Sequence, residues 1–133
     1  LNLSAHVKLV GFVEDTRSVL SNSSVLLMPS VWEGFGFSLL EGMLNSLPCI
    51  AFRKTSAEEI IDDGLTGILV PHRDVKALAS ATIKLLEDGE LRKKMGRAGL
   101  KRVKANYSIG AVTDLLLETI GDMRQAKTIS TEG

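Results

Sequence analysis

The sequence has little of several features, and each shortage excludes a class of protein. Its 133 residues include one cysteine, Cys49, so no internal disulfide can form and a disulfide scaffold is excluded. Basic and acidic residues both number 16, which argues against a general nucleic-acid or anionic-membrane surface. The one basic run, Arg92 to Lys104, has apolar residues at helical spacing, and we interpret it as a solvated helix face. No apolar run approaches roughly 18 residues and no segment resembles a signal peptide, so we expect a soluble chain.

Residues for metal or hydrolase chemistry are also scarce. His6 and His72 have no cysteine, aspartate or glutamate partners at metal-ligand spacing, so we expect no metal site. Ser30 does not lie in a G-x-S-x-G elbow, and no histidine and aspartate set completes a triad. We interpret Cys49, which lies in an apolar run, as a small buried residue rather than a catalytic thiol.

What the sequence does contain is an alternation of strand and helix patterns. Strand-like segments lie at 6–12, 25–28, 49–52 and 68–71, and helix-like segments lie at 37–47, 74–87, 90–105 and 108–127. The continuous apolar run at 25–28 is typical of a strand buried on both faces of a parallel sheet. The alternation predicts an α/β fold with a Rossmann-like open parallel sheet flanked by helices. We expect the α/β domain to cover residues 1–107, with a C-terminal helix at 108–127 and a flexible tail at 128–133.

The segment 29–48 carries the candidate chemistry. Glu33 and Glu41 are separated by seven residues, and the turn Gly34-Phe35-Gly36 lies between them. A strand, a glycine turn and a helix build an anion site from backbone N–H groups and the helix dipole. Two carboxylates beside it suit hydroxyl groups, so a nucleotide sugar is a fitting ligand. Glutamates near a helix start can also act only by stabilising the helix through its dipole.

The same segment resembles the E-x7-E signature of retaining glycosyltransferases of the GT-B fold, family 4. The stretch that carries the resemblance is PSVWEGFGFSLLEGMLNSLPCIAF. Glu59-Ile60-Ile61 and the run from Asp63 to Pro71 resemble the family's E-I-I-x-D-G-x-T-G-x-L-V-P, and Val10-Gly11-Phe12-Val13 resembles an earlier strand end. The likeness covers nearly the whole chain. It implies the C-terminal, donor-binding domain of a GT-B fold with its first part missing.

The resemblance implies a role for each matching residue. Glu33 would hydrogen-bond hydroxyls of the transferred sugar and Glu41 would accept from the ribose hydroxyls, which makes these two the catalytic candidates. Backbone N–H groups from Phe35 to Phe37 would face the diphosphate. Phe12 and Val13 would frame the nucleobase, with Glu14 or Asp15 nearby. The donor-binding candidates are Phe12, Val13, Gly34, Phe35, Gly36, Phe37, Leu40 and Glu41.

Two departures from the family pattern bear on the sugar. Ser46 stands where the family usually has glycine, and Thr55-Ser56-Ala57-Glu58 stands where it often has Gly-Gly or Gly-Pro. A loop without glycine approaches a ligand less closely, which indicates altered sugar recognition or a different sugar. The implied donor is a UDP- or GDP-linked sugar, and no cofactor is expected.

The resemblance also implies a longer protein. The sequence begins at Leu1, and the family's acceptor-binding N-terminal domain and its diphosphate-neutralising arginine and lysine would precede it. Because charge stabilisation of the leaving group is usually the largest catalytic term, we expect these residues alone to transfer no sugar. The intact enzyme would act in polysaccharide or glycolipid synthesis in the cytoplasm or at the inner face of the membrane. We expect membrane contact only through the missing domain, and no nucleic-acid partner.

Two other functions stay open. A glycoside hydrolase would use Glu33 and Glu41 as acid and base, since inverting pairs lie about 6.5–9.5 Å apart, but the glycine turn would then have no purpose. A non-catalytic nucleotide-binding or oligomerisation module would keep the fold without activity. Sequence upstream of Leu1 would separate these functions, because an acceptor domain with an arginine and lysine pair favours the transferase.

Overall fold

A three-stranded parallel sheet lies at the centre of the computed structural model, which describes residues 3–111 and 113. Its strands are β1 (Leu26–Met28), β2 (Cys49–Phe52) and β3 (Gly67–Val70), in the order β1-β2-β3. All pairs are parallel, so the carboxyl ends of the strands meet at one edge of the sheet. That edge is where open α/β sheets bind ligands.

Helices connect the strands and cover both faces of the sheet. Within the described residues they are α1 (Thr16–Leu20), α2 (Phe37–Leu44), α3 (Ala57–Ile60), α4 (Val75–Glu87) and α5 (Gly89–Asn106). Aspartates cap three of them: Asp15, Asp74 and Asp88 accept backbone N–H groups of α1, α4 and α5 at 3.0, 2.9 and 2.8 Å. Such caps stabilise a helix by about 1 kcal/mol each. In this part of the chain no helix combines the length and apolar character needed to cross a membrane.

The central strand explains why the core has two sides. All four residues of β2 are buried, and successive side chains on a strand point to opposite faces. Cys49 and Ala51 pack with residues of α2 and α3, whereas Ile50 and Phe52 pack with residues of α4. Burial raises the pKa of the Cys49 thiol to about 12, so the thiol stays protonated at neutral pH. The interpretation of Cys49 as a buried core residue is confirmed.

The predicted first strand at 6–12 is wrong. This segment has no partner in the sheet formed by the described residues, and Leu9 and Phe12 are 94% and 95% exposed. Alternating apolar residues mark a segment that is able to pair, but a strand forms only where a second strand satisfies its backbone groups. The sheet therefore has three strands here rather than four.

Helix α2 ends earlier than the predicted residue 47. Ser46 takes a left-handed conformation, φ 58°. Its N–H donates to the carbonyl of Met43, and the N–H of Leu47 donates to that of Gly42, both at 3.0 Å. This pair of bonds is the Schellman motif, in which glycine is the usual left-handed residue. Leu44, the last residue of the helix, is 50% exposed, whereas Leu47, beyond the motif, is buried.

The predicted C-terminal helix at 108–127 and the tail at 128–133 lie almost entirely outside the described residues. At the start of that helix, Ser108 Oγ accepts from the N–H of Ala111 at 3.2 Å, as an N-cap residue does.

Two glycines let α5 pack closely against α2 and the turn that follows it. A Cβ at Gly99 would lie 3.3 Å from the side chain of Met43, and one at Gly96 would overlap the carbonyl oxygen of Ser46. The Gly96 contact is with backbone, which cannot move aside as a side chain can. Helix α5 therefore holds the end of α2 in place.

We expect Gly96→Ala to lower the free energy of unfolding by about 3 kcal/mol, because the new methyl group must displace the backbone at Ser46. The matched control is Gly89→Ala in the same helix, where a Cβ would meet only the Arg92 side chain, at an ordinary 3.6 Å. Urea unfolding followed by circular dichroism measures both. Equal stability of the two variants would contradict the packing described here.

Candidate functional site

The turn between β1 and α2 exposes backbone donors at the carboxyl edge of the sheet. Gly36 precedes α2 in a left-handed conformation, φ 88° and ψ 40°, and no side chain caps the helix. The first bond across the turn runs from the N–H of Leu39 to the carbonyl of Gly36, at 2.9 Å. No described residue accepts from the N–H groups of Phe37 and Ser38. An uncapped helix N-terminus with free N–H groups is suited to an anion.

Glu41 lies one turn into α2, and its side chain is exposed. It lines a cavity of about 360 Å³ together with Phe12, Val13 and Ser38. The three residues that the family resemblance assigns to the nucleoside are thus brought together. A neighbouring cavity of about 560 Å³ also includes Glu41, with Glu14, Asp15, Thr16, Arg17, Leu20, Leu44 and Asn45.

Glu33 lines a different cavity, of about 370 Å³, on the other part of the turn. Its other lining residues are Trp32, Gly34, Lys54, Thr55, Ser56 and Glu59. The lining is mostly polar and includes one lysine. The two glutamates therefore line separate cavities, and the turn between them contributes Gly34 to the Glu33 cavity and Ser38 to the Glu41 cavity.

Leu40 is not part of either cavity. Its side chain is 9% exposed and belongs to the core cluster beneath α2. Leu40 and Glu41 are neighbours on a helix, so their side chains point about 100° apart. The packing of Leu40 in the core fixes α2 on the sheet.

Aromatic and polar contacts tie the turn to the end of α5. The rings of Phe35 and Phe37 are 4.9 Å apart between centroids, and Phe35 lies 6.4 Å from Tyr107. The hydroxyl of Tyr107 donates to the carbonyl of Glu59 at 2.9 Å. Arg102 donates to the same carbonyl at 3.0 Å and to the next one at 2.8 Å. Helix α5 thereby positions α3, whose residue Glu59 lines the Glu33 cavity.

An ion pair orders the loops at the ends of β2 and β3. Arg53 donates to Asp63, whose second oxygen accepts from the N–H of Leu69 at 2.8 Å. His72 contacts the carbonyl of Arg53 at 3.2 Å and the ring of Phe52. These contacts give His72 a structural position. Residues 3–111 and 113 contain no cluster of three or more metal-ligating side chains.

Three residues near Glu33 were not singled out by the sequence as sugar-site residues. Lys54 takes a left-handed conformation with φ 61°. The Oγ of Ser56 is buried without a hydrogen-bond partner in the described part of the chain. Thr55 Oγ1 donates to the carbonyl of Phe52 at 2.9 Å. The sequence feature that points to Thr55 and Ser56 is their position where the family often has glycine.

Comparisons with known proteins agree on one family. The family model described as "Glycosyl transferases group 1" matches residues 1–102. Alpha-D-kanosaminyltransferase of Streptomyces kanamyceticus is 34% identical over 116 residues, which cover 86% of this chain and 30% of that protein. The capsular polysaccharide biosynthesis glycosyltransferase CapM of Staphylococcus aureus is 34% identical over 108 residues, which cover 81% of this chain and 28% of that protein.

A solved structure supports the fold. HepE of Anabaena, crystallised in complex with UDP, superposes with a TM-score of 0.83 and 21% identity, over 90% of this chain and 33% of that one. This likeness confirms the predicted Rossmann-like α/β sheet of the GT-B type. The chain spans about a third or less of the length of these proteins.

We expect Gly36→Ala to destabilise the fold by about 1–2 kcal/mol, since a side chain is strained in the left-handed region and its Cβ would lie 3.1 Å from Ile60. Gly34→Ala is the matched control, because a Cβ there would meet nothing within 4 Å. Chemical denaturation compares the two. An unfolding midpoint shifted equally by both substitutions would show that the turn does not require glycine at 36.

Proposed function

The chain belongs to the glycosyl transferases group 1 family, and from this premise we propose that it is the donor-binding part of a retaining glycosyltransferase. The intact enzyme would transfer a sugar from a nucleoside diphosphate to an acceptor hydroxyl and keep the anomeric configuration. The donor would be a UDP- or GDP-linked sugar.

One observation carries this proposal: the uncapped start of α2 lies between two cavities that each contain one glutamate. A nucleotide sugar is an anion in the middle and carries hydroxyls at both ends. Free backbone N–H groups suit the diphosphate, and ionised carboxylates, which only accept hydrogen bonds, suit the hydroxyls. The order of these groups along the turn matches the order of the groups in the ligand.

The nucleoside end is proposed to occupy the cavity of Glu41. The carboxylate would accept from the ribose hydroxyls, while Phe12 and Val13 would frame the base. Phe12 is 95% exposed, so a stacked base would remove apolar surface from water. The exposed side of α2, rather than the buried Leu40, would face the nucleotide.

The sugar end is proposed to occupy the cavity of Glu33. A sugar hydroxyl would also satisfy the buried Oγ of Ser56, which lacks a protein partner among the described residues. Leaving such a group unsatisfied costs about 1–3 kcal/mol, so a ligand that bonds to it gains affinity. At the positions where the family usually has glycine, Thr55 and Ser56 would thus provide side chains that contact the sugar and contribute to its recognition.

We also propose a cellular role for the whole protein. CapM is named for capsular polysaccharide biosynthesis, and we assign this chain to the synthesis of a polysaccharide or glycolipid in the cytoplasm or at the inner face of the membrane. Groups that neutralise the diphosphate and bind the acceptor would be supplied by the remainder of the protein. The 133 residues alone are expected to show no turnover.

In the intact enzyme, Glu41→Ala should raise the donor KM about 10- to 100-fold, because a hydrogen bond to a charged group is worth about 1.5–3 kcal/mol. Glu33→Ala should mainly lower kcat, because its bonds orient the sugar at the reacting carbon. Steady-state kinetics with the donor varied separate the two effects. Glu87→Ala on α4 is the control, since that exposed residue lines neither glutamate cavity. Wild-type kinetics in both glutamate variants would refute these roles.

A further inference from the structure

Helix α5 concentrates the positive charge of the chain. It carries seven basic residues and one acidic residue, Glu90. The basic residues are Arg92, Lys93, Lys94, Arg97, Lys101, Arg102 and Lys104. Because basic and acidic residues both total 16 in the sequence, the chain outside α5 is acidic in balance. A chain with no net charge thus has one strongly basic helix.

Three of these seven cations act within the molecule. Arg92 donates to the last carbonyls of α4, at 2.6 Å, and Arg102 donates to carbonyls of α3. Lys93 pairs with Glu90 at 2.8 Å. Their positions are explained by the fold itself.

The other four cations form a row that the fold does not use, here called the basic stripe. It consists of Lys94, Arg97, Lys101 and Lys104. The spacings of three, four and three residues place them on one helix face, and all four are exposed. None donates a hydrogen bond or forms an ion pair within the described residues; the charge of Arg97 acts on Glu90 only at a distance. The buried residues of α5, which lie on the opposite face, are Met95, Gly96, Gly99 and Val103.

The surface of the stripe is suited to a flat, anionic partner. Arg97, Lys101 and Lys104 surround a depression of about 500 Å³, whose other lining residues are Leu100 and Ala105. Eleven residues of helix, from Lys94 to Lys104, extend the stripe over roughly 15 Å. Long cationic side chains can cover small apolar residues with their stems and still present their charges to an anionic surface. Among the described residues, no aromatic or amide side chain lines the depression. Single-stranded nucleic-acid sites use aromatic side chains for stacking.

We propose that the basic stripe is a contact surface for an anionic lipid membrane, with α5 lying along the membrane plane. The proposal rests on four cations in a row that have no partner among the described residues, on a chain of zero net charge. Each lysine or arginine near an anionic bilayer strengthens binding about fivefold at moderate salt. The contact does not involve the sugar-donor site, so a failed lipid-binding test would leave the proposed function unaffected. It differs from the sequence-based expectation that this run is only solvated and that membrane contact comes from another domain.

Sedimentation of the chain with lipid vesicles tests the proposal. Vesicles of equal parts phosphatidylcholine and phosphatidylglycerol are compared with vesicles of phosphatidylcholine alone. We expect binding to the anionic vesicles that falls as salt shortens the Debye length. Lys101→Gln with Lys104→Gln should weaken that binding about 25-fold, which is fivefold for each charge removed.

The matched control is Lys76→Gln with Lys84→Gln, which removes two exposed lysines from α4 and makes the same change in net charge. Circular dichroism confirms that both double variants fold. Equal weakening in the two double variants, or no preference for anionic vesicles, would overturn the proposal. Tighter binding to duplex DNA than to the vesicles, lost in the α5 variant, would assign the stripe to nucleic acid instead.

Discussion

The left-handed backbone at Gly36 is the constraint on which the candidate site depends. It turns the chain from the loop after β1 directly into α2 without a side-chain cap, and so leaves backbone donors free at the carboxyl edge of the sheet. A side chain in this conformation costs about 1–2 kcal/mol, and here its Cβ would also press on Ile60. The separation of Glu33 and Glu41 into two cavities follows from this turn.

Close packing on two sides holds α2, which begins at this turn, in place. A Cβ on Gly42 would lie 2.6 Å from the side chain of Leu26 and 3.2 Å from that of Cys49, and on its other side α2 meets the glycines of α5. Close packing of this kind transmits displacement rather than absorbing it. The same α5 holds α3 through Arg102 and Tyr107, so one helix fixes the elements beside both cavities. Such preorganisation lowers the cost of ordering the site when a ligand binds.

Much of this arrangement could be predicted from sequence because it is local. A continuous apolar run identified the strands at 25–28 and 49–52, and the glycine turn followed by a periodic segment identified α2. The conformation of segment 6–12 could not be predicted in this way. A strand forms only beside a partner strand, and the alternation of apolar residues does not show whether a partner is present. Leu40, a donor-binding candidate from the sequence, lies in the core cluster, and its side chain points about 100° away from that of Glu41.

The structure shows that the two departures from the family pattern have different consequences. Ser46 belongs to the Schellman motif at the end of α2, so its departure from glycine concerns helix termination rather than sugar recognition. Ser56, in contrast, lines the Glu33 cavity, and its Oγ is buried without a partner among the described residues. Sequence shows both as glycine replacements, and only backbone angles and contacts distinguish a strained cap from a candidate ligand group.

We propose that the cavity of Phe12, Val13 and Glu41 holds the nucleoside of a sugar donor. Ligand-observed NMR of the chain with UDP, GDP and ADP tests this assignment, with Glu41→Ala and Glu87→Ala compared. We expect saturation transfer to one of the three nucleotides, lost in the Glu41 variant and kept in the Glu87 variant. Undiminished transfer without Glu41, or transfer to none of the three, would contradict the claim that these residues hold the nucleoside.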